Sequence, residues 1–376
     1  MGLVRYYTAM PLARTSGPTR LLARATRVAL VPALLALAAC GGSSSAGASG
    51  ASAASSPATE LRLGYFANLT HAPALIGVDK GLFTKELGAT TLKTQVFNAG
   101  PDEVTALFAG ALDAAYIGPS PTVNAYGQSN GDAIRIIAGA ASGGAELVVR
   151  DGINSAADLK GKTLASPQLG NTQDVALRTW LTSKGLKNSV TGGGEVTIKP
   201  TKNADVLNLL QSGKLDGGWE PEPYASRMVL EGKGHVLVDE RDLWPGGKFV
   251  TTNLVVRTAF LKEHPDAVAA LLRGHVAAVQ LATTDPAAAK TAINSGLKAA
   301  GSSALSDTVF DRAWKEMTVT YDPLASALKT SADIGVTAGT AEKKIDLAGI
   351  YALTPLNTVL TAQGLAAVSA DGLGTQ

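Results

Sequence analysis

The sequence predicts an α/β fold in two lobes joined by two crossing hinge strands. Three observations lead there: the length of chain that follows an N-terminal export address, the alternation of apolar strands with helical stretches, and two short segments that each occur twice.

The address comes first. Arg14, Arg20, Arg24 and Arg27 form a basic stretch with no acid before Cys40, followed by an apolar run from Val28 to Ala39. That run is too short to cross a bilayer, which needs roughly 20 residues, but has the form of a secretory h-region. It ends in Leu37-Ala38-Ala39-Cys40-Gly41, a bacterial lipobox, and Cys40 is the only cysteine in the chain. Residues 1–39 are therefore expected to be a signal peptide and Cys40 the lipidated residue, placing the protein at the cell membrane, lipid-anchored on the extracytoplasmic face. With one cysteine there is no disulfide framework and no cysteine-based metal site. Residues 40–59 are almost wholly Gly, Ser, Ala, Pro and Thr after the cysteine, a composition that reads as a flexible tether.

Removing residues 1–39 from the 376 leaves 337, more than one modest core holds and enough for two domains. The full chain carries 33 basic and 31 acidic residues, and taking away the four arginines of the address and Arg5 leaves 28 against 31. There is no basic run in the remainder, so nucleic-acid binding has no support. No second long apolar segment is expected, and the membrane is met through the lipid alone.

The folded part opens on the strand Leu61-Arg62-Leu63-Gly64-Tyr65-Phe66. The first repeated unit is Leu107-Phe108-Ala109-Gly110-Ala111-Leu112-Asp113-Ala114-Ala115-Tyr116, echoed by Leu210-Gln211-Ser212-Gly213-Lys214-Leu215-Asp216-Gly217-Gly218-Trp219. In both, a helix ends at glycine, Leu-Asp makes the turn, and a short strand carries an aromatic residue. The second echo is Leu147-Val148-Val149-Arg150 against Leu254-Val255-Val256-Arg257, read as the two segments that cross between lobes. The predicted organisation is residues 60–147 and 254–376 for lobe one and 148–253 for lobe two.

The chain resembles the solute-binding proteins of ABC importers for sulfonates, taurine and nitrate. The resemblance rests on Gly64-Tyr65-Phe66-Ala67-Asn68 with His71-Ala72-Pro73, Asn98-Ala99-Gly100-Pro101, Asp158 to Ala165, Trp219-Glu220-Pro221-Glu222-Pro223-Tyr224, Leu243-Trp244-Pro245-Gly246 and Thr251-Thr252-Asn253-Leu254. It implies a periplasmic-binding-protein-like fold and a small-molecule ligand held between the lobes. It further implies a monomer that closes on its ligand and delivers it to an ABC permease and its ATPase, with no cofactor and no catalysis. The thiamine-pyrimidine group shares the scaffold and is the alternative, as precursor binder or synthase-like enzyme. The synthases' iron chemistry resembles a cysteine-rich motif that this chain does not supply. No nucleophile elbow appears, and His71, His235, His264 and His275 show no metal spacing; His275 reads as structural.

Ligands of open α/β sheets sit beyond the carboxyl ends of the strands. Four strands here end in a polar turn followed by a helix start. The candidates are Tyr65, Asn68, Thr70 and His71; Ser120; Gly170, Asn171, Thr172 and Gln173; Trp219 and Glu220; and Thr252 near the second crossing. Helix N-termini offer free N–H groups and partial positive charge to an anion. Apart from His71 these loops hold no basic residue, which points to neutral donors. The same Ser, Thr and Asn residues also serve as caps in any α/β protein. His71 reads equally as an ordinary loop histidine, and Trp219 equally as core. Glu220 would repel an oxyanion unless it holds a hinge donor or meets a cationic group on the ligand.

The Cys40→Ser protein is expected to leave the membrane fraction, and mass spectrometry of the wild type should show acylation at Cys40.

Overall fold

The computed structural model describes residues 57–375; the export address, Cys40 and most of the tether lie outside the described residues. The strands are β1 (Glu60–Phe66), β2 (Thr91–Phe97), β3 (Ala114–Ile117), β4 (Ile134–Gly143), β5 (Ala145–Val149), β6 (Thr163–Ser166), β7 (Thr197–Pro200), β8 (Gly217–Pro221), β9 (His235–Asp239), β10 (Val250–Arg257) and β11 (Met317–Val319). They form two sheets, β11-β4-β10-β3-β1-β2 and β7-β6-β8-β5-β9. The sheets are built to one plan. Three parallel strands (β2-β1-β3 and β7-β6-β8) are followed by an antiparallel one (β10 and β5).

Each sheet is covered on both faces. In the second lobe the alternation along β5 sends Ala145, Leu147 and Val149 to a core with Trp219, Leu177 and Trp180, and Val148 to an opposite core with Ala165, Val206, Leu210 and Met228. That period of two is the expected pattern for a strand buried on both faces. The first lobe buries a larger single cluster that includes Leu63, Tyr116, Ile136 and Leu254.

The two sequence echoes meet in space. Gly110 and Gly213, at φ of 68° and 69°, follow the helices Gly100–Phe108 and Asn203–Gln211 in the left-handed conformation that closes a helix. The aspartate three residues on then grips the neighbouring strand. Asp113 accepts from the Arg62 main-chain N–H at 2.9 Å and Asp216 from that of Thr163 at 2.8 Å. Each is also paired with the arginine that ends a Leu-Val-Val-Arg segment: Arg257 to Asp113 at 2.9 Å and Arg150 to Asp216 at 2.5 Å. The arginines' own main-chain N–H groups donate to the carbonyls of those aspartates, at 2.9 and 3.0 Å.

The Leu-Val-Val-Arg segments are thus interior strands, each within one sheet, and not themselves the crossings. The chain changes lobes just upstream of each, at Gly143-Gly144 and between Asp239 and Val250. Accordingly Ala145 to Leu147 belong to the second sheet and Val250 to Asn253 to the first, a shift of three or four residues from the boundaries the echoes suggested. Contrary to the sequence expectation, a second long apolar segment is present. The helix Pro265–Thr284 is long and apolar enough to span a bilayer by length and composition. Here it packs in the first-lobe core through Val268, Leu271, Leu272 and Val276, and its Arg273 pairs with Glu86 at 2.6 Å.

Burial raises the pKa of Asp113, but hydrogen bonds from Arg62 and Arg257 outweigh it and hold the carboxyl below its usual range. Its stabilising effect is therefore full above the unfolded value near 4 and fades as pH falls through the lower folded value. Asp113→Asn is expected to cost about 2 kcal/mol at pH 7, less than a fully buried pair because both arginine heads reach solvent. Urea unfolding should show that deficit shrinking below about pH 4.

Candidate functional site

The lobes face each other across the carboxyl ends of β1, β3, β6 and β8. There Asn68, Thr70, His71, Asn171, Thr172, Gln173 and Thr252 line one small cavity together with Phe66, Gly118, Pro221 and Thr251. Its volume is about 10 Å³, room for about one water molecule. No charged side chain among the described residues lines it.

Each contributor is placed by local structure. After β1 a single turn, Leu69–His71, runs into the helix Ala72–Asp79. Within it the Phe66 main-chain N–H donates to His71 Nδ1 at 3.2 Å, and the two rings stack at 4.4 Å. Because Nδ1 accepts, the ring proton belongs on Nε2, leaving a neutral N–H donor. Burial drives the His71 pKa down to about 3.

From the second lobe, the loop after β6 is held by Asp174. That carboxylate accepts from Ser166 Oγ at 2.7 Å, from the Gly170 N–H at 3.0 Å and from Arg178 Nε at 2.9 Å. This fixes Asn171, Thr172 and Gln173 at the start of the helix Thr172–Ser183. Asn171 is the N-cap residue of that helix, but its side chain makes no cap bond; its Oδ1 accepts across the cleft from the Gly100 N–H at 3.4 Å. The first-turn N–H groups have no partner within the helix. Thr172 Oγ1 and Thr252 Oγ1 are buried with no hydrogen-bond partner among the described residues. Gly118 is required by close approach, since a Cβ there would lie 2.2 Å from Thr172 Oγ1.

Five candidates are not brought to the cavity. Tyr65 sits in the first-lobe core. Ser120 is buried in the first turn of the helix Pro119–Gln128, with Gly118 facing the cavity in its stead. Gly170 serves the loop through its bond to Asp174 and lines the outer mouth of the cleft. Trp219 is core: it is fully buried, its Nε1 donates to Glu240 at 2.8 Å, and its ring lies edge-on to Trp180 at 6.2 Å. Glu220 alternates to the opposite face of β8, buried and unpartnered among the described residues. Burial pushes its pKa well above the ordinary carboxylate value, which favours the neutral form. The repulsion expected of it does not arise. Phe66, Gly118, Pro221 and Thr251 were missed; the strand-end glycine Gly118, between an apolar strand and Pro119, was the one legible signal among them.

The lobes are tied at two edges. At the cleft mouth Gln168 Nε2 donates to Asp102 at 3.0 Å and Thr179 Oγ1 to the Ile334 carbonyl at 3.1 Å. Behind the cleft, Arg312 reaches from the helix Asp307–Lys315 to Glu146 at 2.8 Å, Glu222 at 3.1 Å and Ser226 at 2.7 Å. Arg241 returns to Asp239 at 2.5 Å and to Glu316. His275 lies in the first-lobe core, bonded to the Tyr116 hydroxyl at 2.8 Å.

Two sheets of one plan, a chain that crosses between them twice and a polar interlobe cavity define the periplasmic-binding-protein fold. Solved structures agree. The alkanesulfonate-binding protein of Xanthomonas axonopodis pv. citri, bound to MOPS, is 18% identical with a TM-score of 0.63, over 77% of this chain and 96% of that one. The periplasmic nitrate-binding protein of Synechocystis PCC 6803 is 15% identical with a TM-score of 0.66, over 81% and 89%. The chain belongs to the NMT1-like family, whose model matches residues 54–295. It is also similar to the taurine-binding periplasmic protein of Escherichia coli (strain K12), 29% identical over 217 residues, which span 57% of this chain and 64% of that protein.

His71, with a folded pKa near 3 against about 6.5 unfolded, is neutral when buried. Its contribution to stability is complete above pH 6.5 and is lost as pH falls toward 3, because the unfolded chain alone takes up the proton. Between pH 7 and 5 that loss amounts to up to about 2 kcal/mol. Urea unfolding at both pH values should show His71→Gln losing correspondingly less than wild type. The comparison cancels the buried carboxyls Glu103 and Glu220, whose raised pKa values act in the opposite direction.

Proposed function

We propose that this chain is an extracytoplasmic solute-binding lipoprotein of an ABC importer. It captures a small oxyanion-bearing ligand, of the aliphatic sulfonate, taurine or nitrate class, in the interlobe cavity and delivers it to a permease and its ATPase. The observation that carries this reading is the lining itself. Hydroxyls, amides and one neutral imidazole N–H converge from both lobes with no charged side chain, and two of the hydroxyls are buried without partners.

Such donors fit an anion that needs directed hydrogen bonds in place of a countercharge, each bond to a charged group being worth about 1.5–3 kcal/mol. The cost of taking an ion out of water grows with the square of its charge. A cavity without a cation therefore suits a monoanion over a dianion such as sulfate. The cavity holds about one water, so the lobes must part for a ligand to enter and can close on it only if it contacts both. The names of the relatives agree in kind: taurine in Escherichia coli, alkanesulfonate in Xanthomonas, nitrate in Synechocystis. Binding rather than turnover is the proposed role, in line with relatives named as binding proteins.

A thermal-shift screen of taurine, alkanesulfonates, nitrate and sulfate is the test. A ligand at 100 times its Kd should add about 2.7 kcal/mol of stability. Thr172→Asp should abolish that shift, since a carboxylate then faces the anion in a dry site. A wild-type response to none of the monoanions, or an undiminished response in Thr172→Asp, would remove the oxyanion reading.

A further inference from the structure

Directly outside the polar cavity lies a groove of about 450 Å³, within the usual range for small-ligand sites. The first lobe supplies Val104, Phe108, Pro121 and Ala125, and the second supplies Leu169 and Val190. No charged side chain among the described residues lines it. Phe108, Leu169 and Val190 are 45%, 41% and 37% exposed, three of the seven exposed large apolar residues of the described chain, and they come together from both sides of the cleft. Scattered apolar residues on a surface need no explanation, but a joined, uncharged groove does.

The groove and the polar cavity share a wall. Leu169 and Gly170 line the groove and the next residues, Asn171 and Thr172, line the cavity; on the facing lobe Pro121 lines the groove and Gly118 the cavity. The Asn171 side chain, on the cavity side of that wall, is held across the cleft by one long hydrogen bond from the Gly100 N–H, 3.4 Å. A site of neutral donors thus lies beside an apolar groove, with Gly170 on one and Asn171 on the other.

We infer that the groove is a tail subsite, and that the ligand is an amphiphilic monoanion whose oxyanion head sits among Thr172, Thr252 and His71 while an extended aliphatic or aromatic tail leaves past Asn171 between Phe108 and Val190. This inference rests on the oxyanion reading and narrows it. Nitrate has no tail, and taurine would bring an ammonium group toward a wall with no carboxylate. The groove exists only where the lobes meet, so a tail lying in it contacts both lobes and favours their closure.

The test is calorimetry of the full-length protein with methane-, butane- and octanesulfonate. Affinity is expected to rise by roughly two- to fourfold per methylene, the upper figure being that for a fully buried group. Phe108→Ser and Val190→Ser, on opposite lobes at exposed positions that fold without them, should each flatten the series while leaving methanesulfonate binding within about twofold. A flat wild-type series with methanesulfonate still bound overturns the tail subsite and leaves the oxyanion reading standing. A rising series that neither variant changes also overturns it, because the tail then lies elsewhere. So does an unchanged series in variants that lose import, which would make the groove a permease contact. If no sulfonate of any length binds, the tail subsite falls, while the oxyanion reading falls only if nitrate and taurine also fail to bind.

Discussion

The fold depends on one turn used twice. A helix closes at a left-handed glycine, and the aspartate beyond it accepts from the main-chain N–H of the neighbouring strand and from an arginine at the end of the antiparallel strand. Three segments far apart in sequence are thereby locked into one register. In lobe one Leu63 lies beside Ala114, and in lobe two Leu164 lies beside Gly217, the same offset from the gripping aspartate. A one-residue slip would turn every core side chain of these strands outward. It is this register that sets the strand ends at one level and brings their loops to face each other.

What the register presents at the cleft is electrically quiet. Charges are abundant around it but all are committed elsewhere: Asp174 to Ser166 and Arg178 under the loop, Glu146 and Glu222 to Arg312 behind it. The acids without partners among the described residues, Glu103 and Glu220, are buried, and that burial raises their pKa values and favours the neutral form. His71, the one basic side chain among the described residues that reaches the cavity, is neutral for the same reason. Specificity then rests on where donors point rather than on net charge, and the donors are aimed by backbone: the turn after β1, the helix start at Thr172, and the absence of a side chain at Gly118.

The two tied edges differ in strength. The rear edge carries arginines that each reach acids on more than one segment, at Gly143-Gly144 and the second crossing, where a pivot belongs. The mouth is held by single neutral or half-neutral hydrogen bonds, Gln168 to Asp102, Thr179 to Ile334 and Asn171 to Gly100. Single bonds exchange with water at little net cost, about 1 kcal/mol each, whereas multiply paired arginines do not. Opening at the mouth about the rear edge is the motion this asymmetry favours.

Much of this was legible in the chain itself. The alternation of strands and helices, the repeated Gly-x-Leu-Asp turn and the polar residues after strand ends are local patterns, set by backbone conformation and side-chain period, and they named Asn68, Thr70, His71, Asn171, Thr172, Gln173 and Thr252 as neighbours of the cleft. Tertiary structure decided what local pattern does not encode. Trp219 and Glu220 are adjacent in sequence, yet strand alternation sends one to each face of a buried sheet, and neither faces the cavity. The Leu-Val-Val-Arg repeats looked like crossings, but their arginines are partners of the turn aspartates, a pairing made across more than sixty residues in one lobe and more than a hundred in the other. Gly118 enters the site only because Thr172 of the opposite lobe needs the space a Cβ would take. Sequence by itself determined which elements form and which turns are polar, because those follow from neighbours along the chain; which of those polar groups share one desolvated space was decided by how two lobes close.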